Sequence, residues 1–311
     1  LLTLVVANTV LRKKLGSDHF LVAARALPLY LVVAVTAGDM IGGASTVGVT
    51  QRGYSEGVVA ILVSIGAGLA FFVFAATMSG RFRRLKPVTI PEVLGRLFDT
   101  RTRLTTALVI GISYFFLAIA QIMAGGALLS ALLGMKIWIA EVITMLIFAV
   151  IVTTGGLRSI ALVNVVQIIV LVAGMFVSAG FSLILIGGSI PAGISRIWHE
   201  LPPSYWSFSL SRSPFTWSGE MLGAVFTLFA AQAAITGIFA ARDHKTAVRG
   251  AWLAGLVCMS VGIPFTVLGM CAKIHFGESL PHGLSAAPAM MLALNPFIAG
   301  ISLCGLFAAI I

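Results

Sequence analysis

The chain has 311 residues, of which 59% are hydrophobic and 10% charged, with 20 Lys and Arg against 10 Asp and Glu. An ordinary soluble domain carries about 25% charged residues, so a water-solvated globule, a disordered tail and a secreted disulfide scaffold are excluded. The net charge of +10 does not mark a nucleic-acid binder either, because apolar stretches of 20 or more residues recur from end to end and each can cross the hydrocarbon layer as a helix: this is an all-α integral membrane protein.

Apolar runs between charged breaks predict a partial span over 1–11, then spans over 27–49, 56–79, 104–133, 137–154, 159–187, 217–241, 247–272 and 286–311. The first residue is Leu1, the chain stops at Ile311 inside an apolar run, and RKK follows the opening run instead of preceding it; a fragment without a signal peptide is expected. One set of connections carries Arg12, Lys13, Lys14, Arg25, Arg81, Arg83, Arg84, Lys86, Arg96, Arg101, Arg103, Arg158, Arg242, Lys245 and Arg249, which is 15 of the 20 cations. The other set holds Arg52, Lys136, Arg196, Arg212 and Lys273. The positive-inside rule makes the first set cytoplasmic, so the basic excess is an orientation signal.

The cytoplasmic segment 81–103 has Val93, Leu94, Leu97 and Phe98 between polar positions, and predicts an interfacial helix starting at Pro91, where the missing N–H costs nothing. The external stretch 188–216, with four prolines and Trp198 and Trp206, predicts a loop with short interfacial helices. Cys258, Cys271 and Cys304 lie within or at the ends of apolar segments and read as packing residues. The five histidines sit in polar connections and no H-E-x-x-H occurs, which argues against a metalloenzyme.

The first complete span departs from an ordinary membrane helix. Gly38, Gly42, Gly43 and Gly48 weaken it, and Asp39 is the only one of the 10 acids deep in a span, where a carboxylate costs about 2.5–3.5 kcal/mol. One reading is a small-residue packing face with a protonated or hydrogen-bonded Asp39. The other is a helix broken within 36–44, whose freed carbonyls, with Asp39 and the hydroxyls of Ser45 and Thr46, bind a cation near the midplane. The span 217–241 carries a milder polar stripe of Thr227, Gln232, Thr236 and Gly237, and Gln121 stands alone in another. Amides at such depth bond either to another helix or to a solute. The two marked spans lie five helices apart, the spacing of inverted-repeat carriers.

Five motifs in order resemble the sodium:solute symporters. DHFLVAARALP is similar to D-F-x-x-A-G-R, with Ala24 where Gly is usual; AGDMIGG resembles the ion-binding stretch of the proline carriers; VTIPEVLGRLF resembles T-x-P-E-x-L-x-x-R-F. The run from Gly155 to Gln167 is similar to G-G-L-(R/K)-x-V-x-x-T-D-x-x-Q, with Val163 and Asn164 replacing Thr-Asp, and the run from Gln232 to Gly250 resembles the end of the sixth core helix, with Gly237 in place of Arg. The resemblance implies a leucine-transporter-like five-helix inverted-repeat fold, its first repeat complete over 27–187 and its second, over 217–311, cut within its third helix; residues 1–26 would end an extra N-terminal helix and loop.

It further implies a sodium-coupled symporter, and no enzyme, that imports a small organic solute by alternating access across the cytoplasmic membrane, working as a monomer with the lipid bilayer as its solvent and no nucleic-acid partner. Na+ would be held by the carbonyls of Ala37 and Met40 with Asp39 as neighbour, and by eighth-helix hydroxyls expected as Ser followed by Ser or Thr after Ile311. Solute contacts would fall to Gly42, Gly43, Ser45, Gln121, Thr227 and Gln232. With Phe226 and Thr227 as the main groups of the sixth helix, a sugar would find few partners, and an amino acid, carboxylate or vitamin fits better. A symporter-like sensor-kinase half and a proton-coupled carrier are the competing readings.

Overall fold

The computed structural model describes residues 23–79, 88–154, 157–208, 213–281 and 284–310. The opening run over 1–11, the motif residues from Asp18, the cations Arg12 to Lys14, Arg81 to Lys86 and Arg212, and Ile311 lie outside the described residues, as do the side chains of Arg158, Ala308 and Ala309. Among the described residues the regular structure is helical.

The expected first span is two helices, α1 (Leu29–Met40) and α2 (Gly43–Glu56), separated at Ile41 and Gly42. The interruption falls inside the predicted window but just beyond Asp39, which is still helical, and the span runs to Glu56 instead of ending at 49. Its cause is local. Glycine costs a helix about 1 kcal/mol, two stand at 42 and 43, and the Ser45 hydroxyl competes for the backbone by donating to the carbonyls of Met40 (2.9 Å) and Gly42 (2.8 Å). At the other end of α2 the chain turns at Gly57 (φ 74°), where an added Cβ would lie 2.4 Å from the Tyr205 carbonyl oxygen, and α3 (Ile61–Thr77) follows.

The interfacial helix is α4 (Ile90–Leu97), one residue longer at its start than expected. Its T-I-P-E sequence is a capping box: the Thr89 hydroxyl accepts the Glu92 N–H, and the Glu92 carboxylate reaches back to the Val88 N–H at 2.7 Å. Next come α5 (Thr100–Leu133), capped by Asp99 and ended by left-handed Gly134, α6 (Ile137–Thr154) and α7 (Leu157–Gly187). The external connection contains α8 (Ile190–Glu200), where Trp198 and Trp206 stack 4.5 Å apart.

The second broken span is α9 (Pro214–Ala230) and α10 (Gln232–Phe239), bent by 52° across Ala231. The long α11 (His244–Phe276) packs against α1, α2, α3 and α7 and forms the centre of the molecule. Where α2 crosses it, glycine lets the backbones touch: a Cβ at Gly269 would sit 2.2 Å from the Thr50 carbonyl. The stretch 286–311, expected as one span, is instead α12 (Ala286–Leu292) followed by α13 (Pro296–Ile310). Asn295 precedes a proline, which disfavours helical geometry at that residue, and its side chain instead caps the next turn at the Phe297 N–H (3.0 Å).

By length and composition, Ser45–Thr77, Thr100–Ser130, Ile160–Gly187 and His244–Phe276 can each cross a membrane, and the bent pair forms a fifth candidate. The first of these is divided by the turn at Gly57, which abuts Tyr205. Cys258 and Cys271 are buried, and Cys304 is exposed.

Candidate functional site

The two interruptions meet. As numbering rises along α1 it falls along α10: Leu27 exchanges backbone hydrogen bonds with Ala240 (3.0 Å) and Arg242 (3.1 Å), Gly237 lies against Thr36, and the Asp39 carboxylate interacts with the Ala234 N–H. The helices are antiparallel, so the carbonyl end of α1 adjoins the N–H end of α10. These ends carry opposite partial charges, and Asp39 places its carboxylate where a helix start offers unpaired donors. Protein surrounds it on most sides, yet it keeps an accessible face, so it lies in an opening between helices and not in the packed interior.

The next free donor of α10 is taken by a residue that sequence reasoning missed. The Tyr114 hydroxyl, from α5, accepts the Ala233 N–H at 2.8 Å. The available signal was a lone phenol in a 34-residue apolar helix. Gln121 stands two turns further along α5, and its side-chain carbonyl is buried without a partner among the described residues. Gln232 begins α10, but its amide is engaged: it accepts from the Ile90 N–H at 2.6 Å and donates to Val88 and Thr236, which ties the start of α4 to the second interruption. Thr227 is exposed on α9, its hydroxyl bonded to Gly223.

At the first interruption the Ala37 carbonyl still accepts the Ile41 N–H at 2.9 Å, whereas the Met40 carbonyl has left the backbone ladder and accepts only from Ser45 among the described residues. A carbonyl has two lone pairs, so both oxygens keep acceptor capacity. A cavity of about 30 Å³ lies beside Met40, Ile41 and Ser45, closed by Ser64 of α3 and Cys258 of α11. A water needs roughly 10–15 Å³ of such space, but Val49, Val63, Ala67, Val261 and Phe265 make most of this wall apolar and neither Ala37 nor Asp39 lines it. Across from it Asn164 of α7 abuts Gly38, and a Cβ there would be 3.1 Å from the Asn164 amide nitrogen. Ala37, Asp39, Met40, Gly42, Gly43 and Ser45 thus form one cluster, Gln121 and Gln232 lie on helices around it, and Thr227 faces away. Among the described residues no group of three or more His, Cys, Asp or Glu could hold a metal, and the oxygens beside the break are the Asp39 carboxylate, backbone carbonyls and the Ser45 hydroxyl.

An all-helical membrane protein with two interrupted helices packed antiparallel across their breaks is a leucine-transporter-like inverted-repeat protein. The sodium:solute symporter family profile matches residues 20–311, and the chain belongs to that family. It is 22% identical to sodium/glucose cotransporter 1 of Oryctolagus cuniculus, over 84% of this chain and 43% of the relative, and 24% identical to the sodium/glucose cotransporter of Vibrio parahaemolyticus, over 65% and 37%. An uncharacterised symporter, YwcA, of Bacillus subtilis is 27% identical over 58% of this chain and 37% of its own. The chain spans less than half the length of these relatives. The fold matches a Na+-coupled sialic acid symporter solved in a substrate-bound outward-open state, with a TM-score of 0.84 at 18% identity, over 99% of this chain and 68% of that one.

Proposed function

We propose that the protein is part of a sodium-coupled symporter that moves a small organic solute across the cytoplasmic membrane by alternating access, as a monomer. The observation that carries this reading is the meeting of the α1 and α10 breaks at Asp39. Hard oxygen donors suit an alkali cation, and the carbonyls of Ala37 and Met40, with Asp39 beside them, are the ligands this segment supplies. Ion binding there would steady the end of α1 and, through Asp39, the start of α10, so that the solute meets an ordered surface only when Na+ is present.

Gly42, Gly43, Ser45 and Gln121 are the solute contacts of this reading, joined by Tyr114. Thr227 and Gln232 would contribute only after rearrangement, since one faces outward and the other holds α4. So few free polar groups favour a small, partly apolar solute such as an amino acid, a carboxylate or a vitamin over a sugar. Uptake into proteoliposomes carrying the full-length protein tests this, with such solutes supplied under a sodium gradient and under an equal choline gradient at fixed pH. Sodium-dependent accumulation is expected; equal uptake in choline sinks the coupling.

A further inference from the structure

α1, α7 and α11 border an open cavity of about 610 Å³ lined by apolar side chains, among them Tyr30, Val33 and Ala34 of α1, Ile169 of α7, and Leu253 and Val257 of α11. It shares no residue with the cavity beside Met40, although Val257 of the one and Cys258 of the other are neighbours on α11. Its size falls within the roughly 300–1,000 Å³ range of pockets that hold small molecules, and it is open outward, with Tyr30, Ile169 and Leu253 all exposed. Every lining residue lies in the half of its helix nearest the start of α1, α7 or α11, the ends assigned to the cytoplasmic side by charge.

Two cations lie one and two turns beyond the lining residues of α11. Arg249 is four residues before Leu253, which is four before Val257, so the three form one stripe down α11, and Lys245 extends it one turn toward the cytoplasm. Long side chains lean toward the start of their helix, which carries the Arg249 guanidinium from the apolar groove into the headgroup layer. Arg249 and Lys245 are exposed and have no ion pair among the described residues. Tyr30 brings a phenol to the same end, the usual station of an amphipathic ring at a membrane boundary. An apolar slot on the lipid side, headed by two free cations at the anionic leaflet, matches one ligand in both its parts.

We propose that this groove is a binding site for an anionic phospholipid, with an acyl chain between α1, α7 and α11 and the phosphate at Arg249 and Lys245. Basic pockets between spans on the cytoplasmic side are suited to anionic headgroups. The occupant braces Leu29 to Ala34, the first half of the helix that ends at Asp39. The site does not depend on which solute is carried, and its readout is lipid retention, so it stands or falls separately from the transport reading.

Native mass spectrometry of the full-length protein in detergent, titrated with phosphatidylglycerol or with phosphatidylcholine of the same chains, tests it. The wild type should retain one phosphatidylglycerol in preference to phosphatidylcholine. Arg249→Gln should weaken that retention about fivefold, and Lys245→Gln with Arg249→Gln about 25-fold, at roughly 1 kcal/mol per cation near the surface. Val33→Trp, which fills the groove, should abolish it. Arg249 is exposed, so its variant keeps the test decisive if Val33→Trp does not fold. Equal retention of both lipids by the wild type, or undiminished phosphatidylglycerol binding in Arg249→Gln, overturns the proposal. So does a wild type that retains no lipid while Val33→Trp loses thermal stability, the outcome expected if another segment of polypeptide fills the groove.

Discussion

Replacing Asp39 with Asn tests the link between the two interruptions most directly. The amide keeps an oxygen that can accept the Ala234 N–H, so no buried donor is stranded and the fold should survive. What changes is the charge. A hydrogen bond to a charged group contributes about 1.5–3 kcal/mol and a neutral one about 0.5–1.5, so the contact at Ala234 weakens by roughly 1–1.5 kcal/mol. If sodium binding and the order of α10 are coupled through this contact, the sodium concentration for half-maximal uptake should rise by a factor of about 5–15, at about 1.4 kcal/mol per tenfold. The measurement is the sodium dependence of uptake in proteoliposomes at fixed pH, alongside thermal unfolding to show that the variant is folded. A folded Asp39→Asn protein with unaltered sodium dependence refutes the coupling.

Tyr114→Phe leaves the partly buried Ala233 N–H without its acceptor; an unmet donor costs about 1–3 kcal/mol when fully buried, so a loss of about 1 kcal/mol in thermal stability and a fall in solute uptake are expected, checked against Tyr30→Phe on the surface. Gly269→Leu forces a side chain into the Thr50 backbone at 2.2 Å, and overpacking of this kind costs about 1–3 kcal/mol or more, so the folded yield in detergent should drop sharply. Asp243 caps α11 through the Thr246 N–H at 2.7 Å, and that bond, first among its contacts, holds the carboxyl below its ordinary value of 3.8. Because the folded value is the lower one, the stabilising contribution is complete above 3.8 and fades as the pH falls through the lowered value; Asp243→Asn should lessen the acid sensitivity of unfolding measured between pH 5 and 2.

Periodicity and charge made most of the fold legible, because in hydrocarbon each backbone group must be met within its own segment and long apolar runs have few alternatives to a helix. The break at 41–42 was visible through Asp39 and the glycines, since a carboxylate and two poor helix formers have no cheap place in such a run. Its position relative to Asp39 was not, because that depends on Ser45 turning back to two carbonyls, a choice among rotamers that composition does not encode. The division at Asn295 was legible in principle from the proline that follows it, but the apolar run on either side outweighed one residue in a hydropathy reading. Tyr114 and Gln232 show the harder limit. Their roles depend on which helices are brought beside α10, so a phenol and an amide that look alike in sequence as polar exceptions end up doing unlike things, one closing the break and the other anchoring α4.

Gly237 gives the departure from the family pattern a physical meaning. Gly237 stands where the motif that this run resembles has Arg, and a Cβ there would lie 2.5 Å from the Thr36 hydroxyl and 3.0 Å from the Val32 carbonyl. No side chain fits while α1 and α10 remain this close, so the glycine is a condition of their contact. The contact continues at the start of α1, where Leu27 bonds to Ala240 and Arg242, and is echoed beyond the breaks by the Arg52–Glu220 pair between α2 and α9 at 3.0 Å. That pair is partly exposed and contributes at most about 1 kcal/mol, whereas the backbone pairing and the glycine contact are buried. Of the two broken spans, α1 and α10 are therefore tied more firmly than α2 and α9. A motion that opens the site should keep α1 and α10 together as one unit and separate α2 from α9 first.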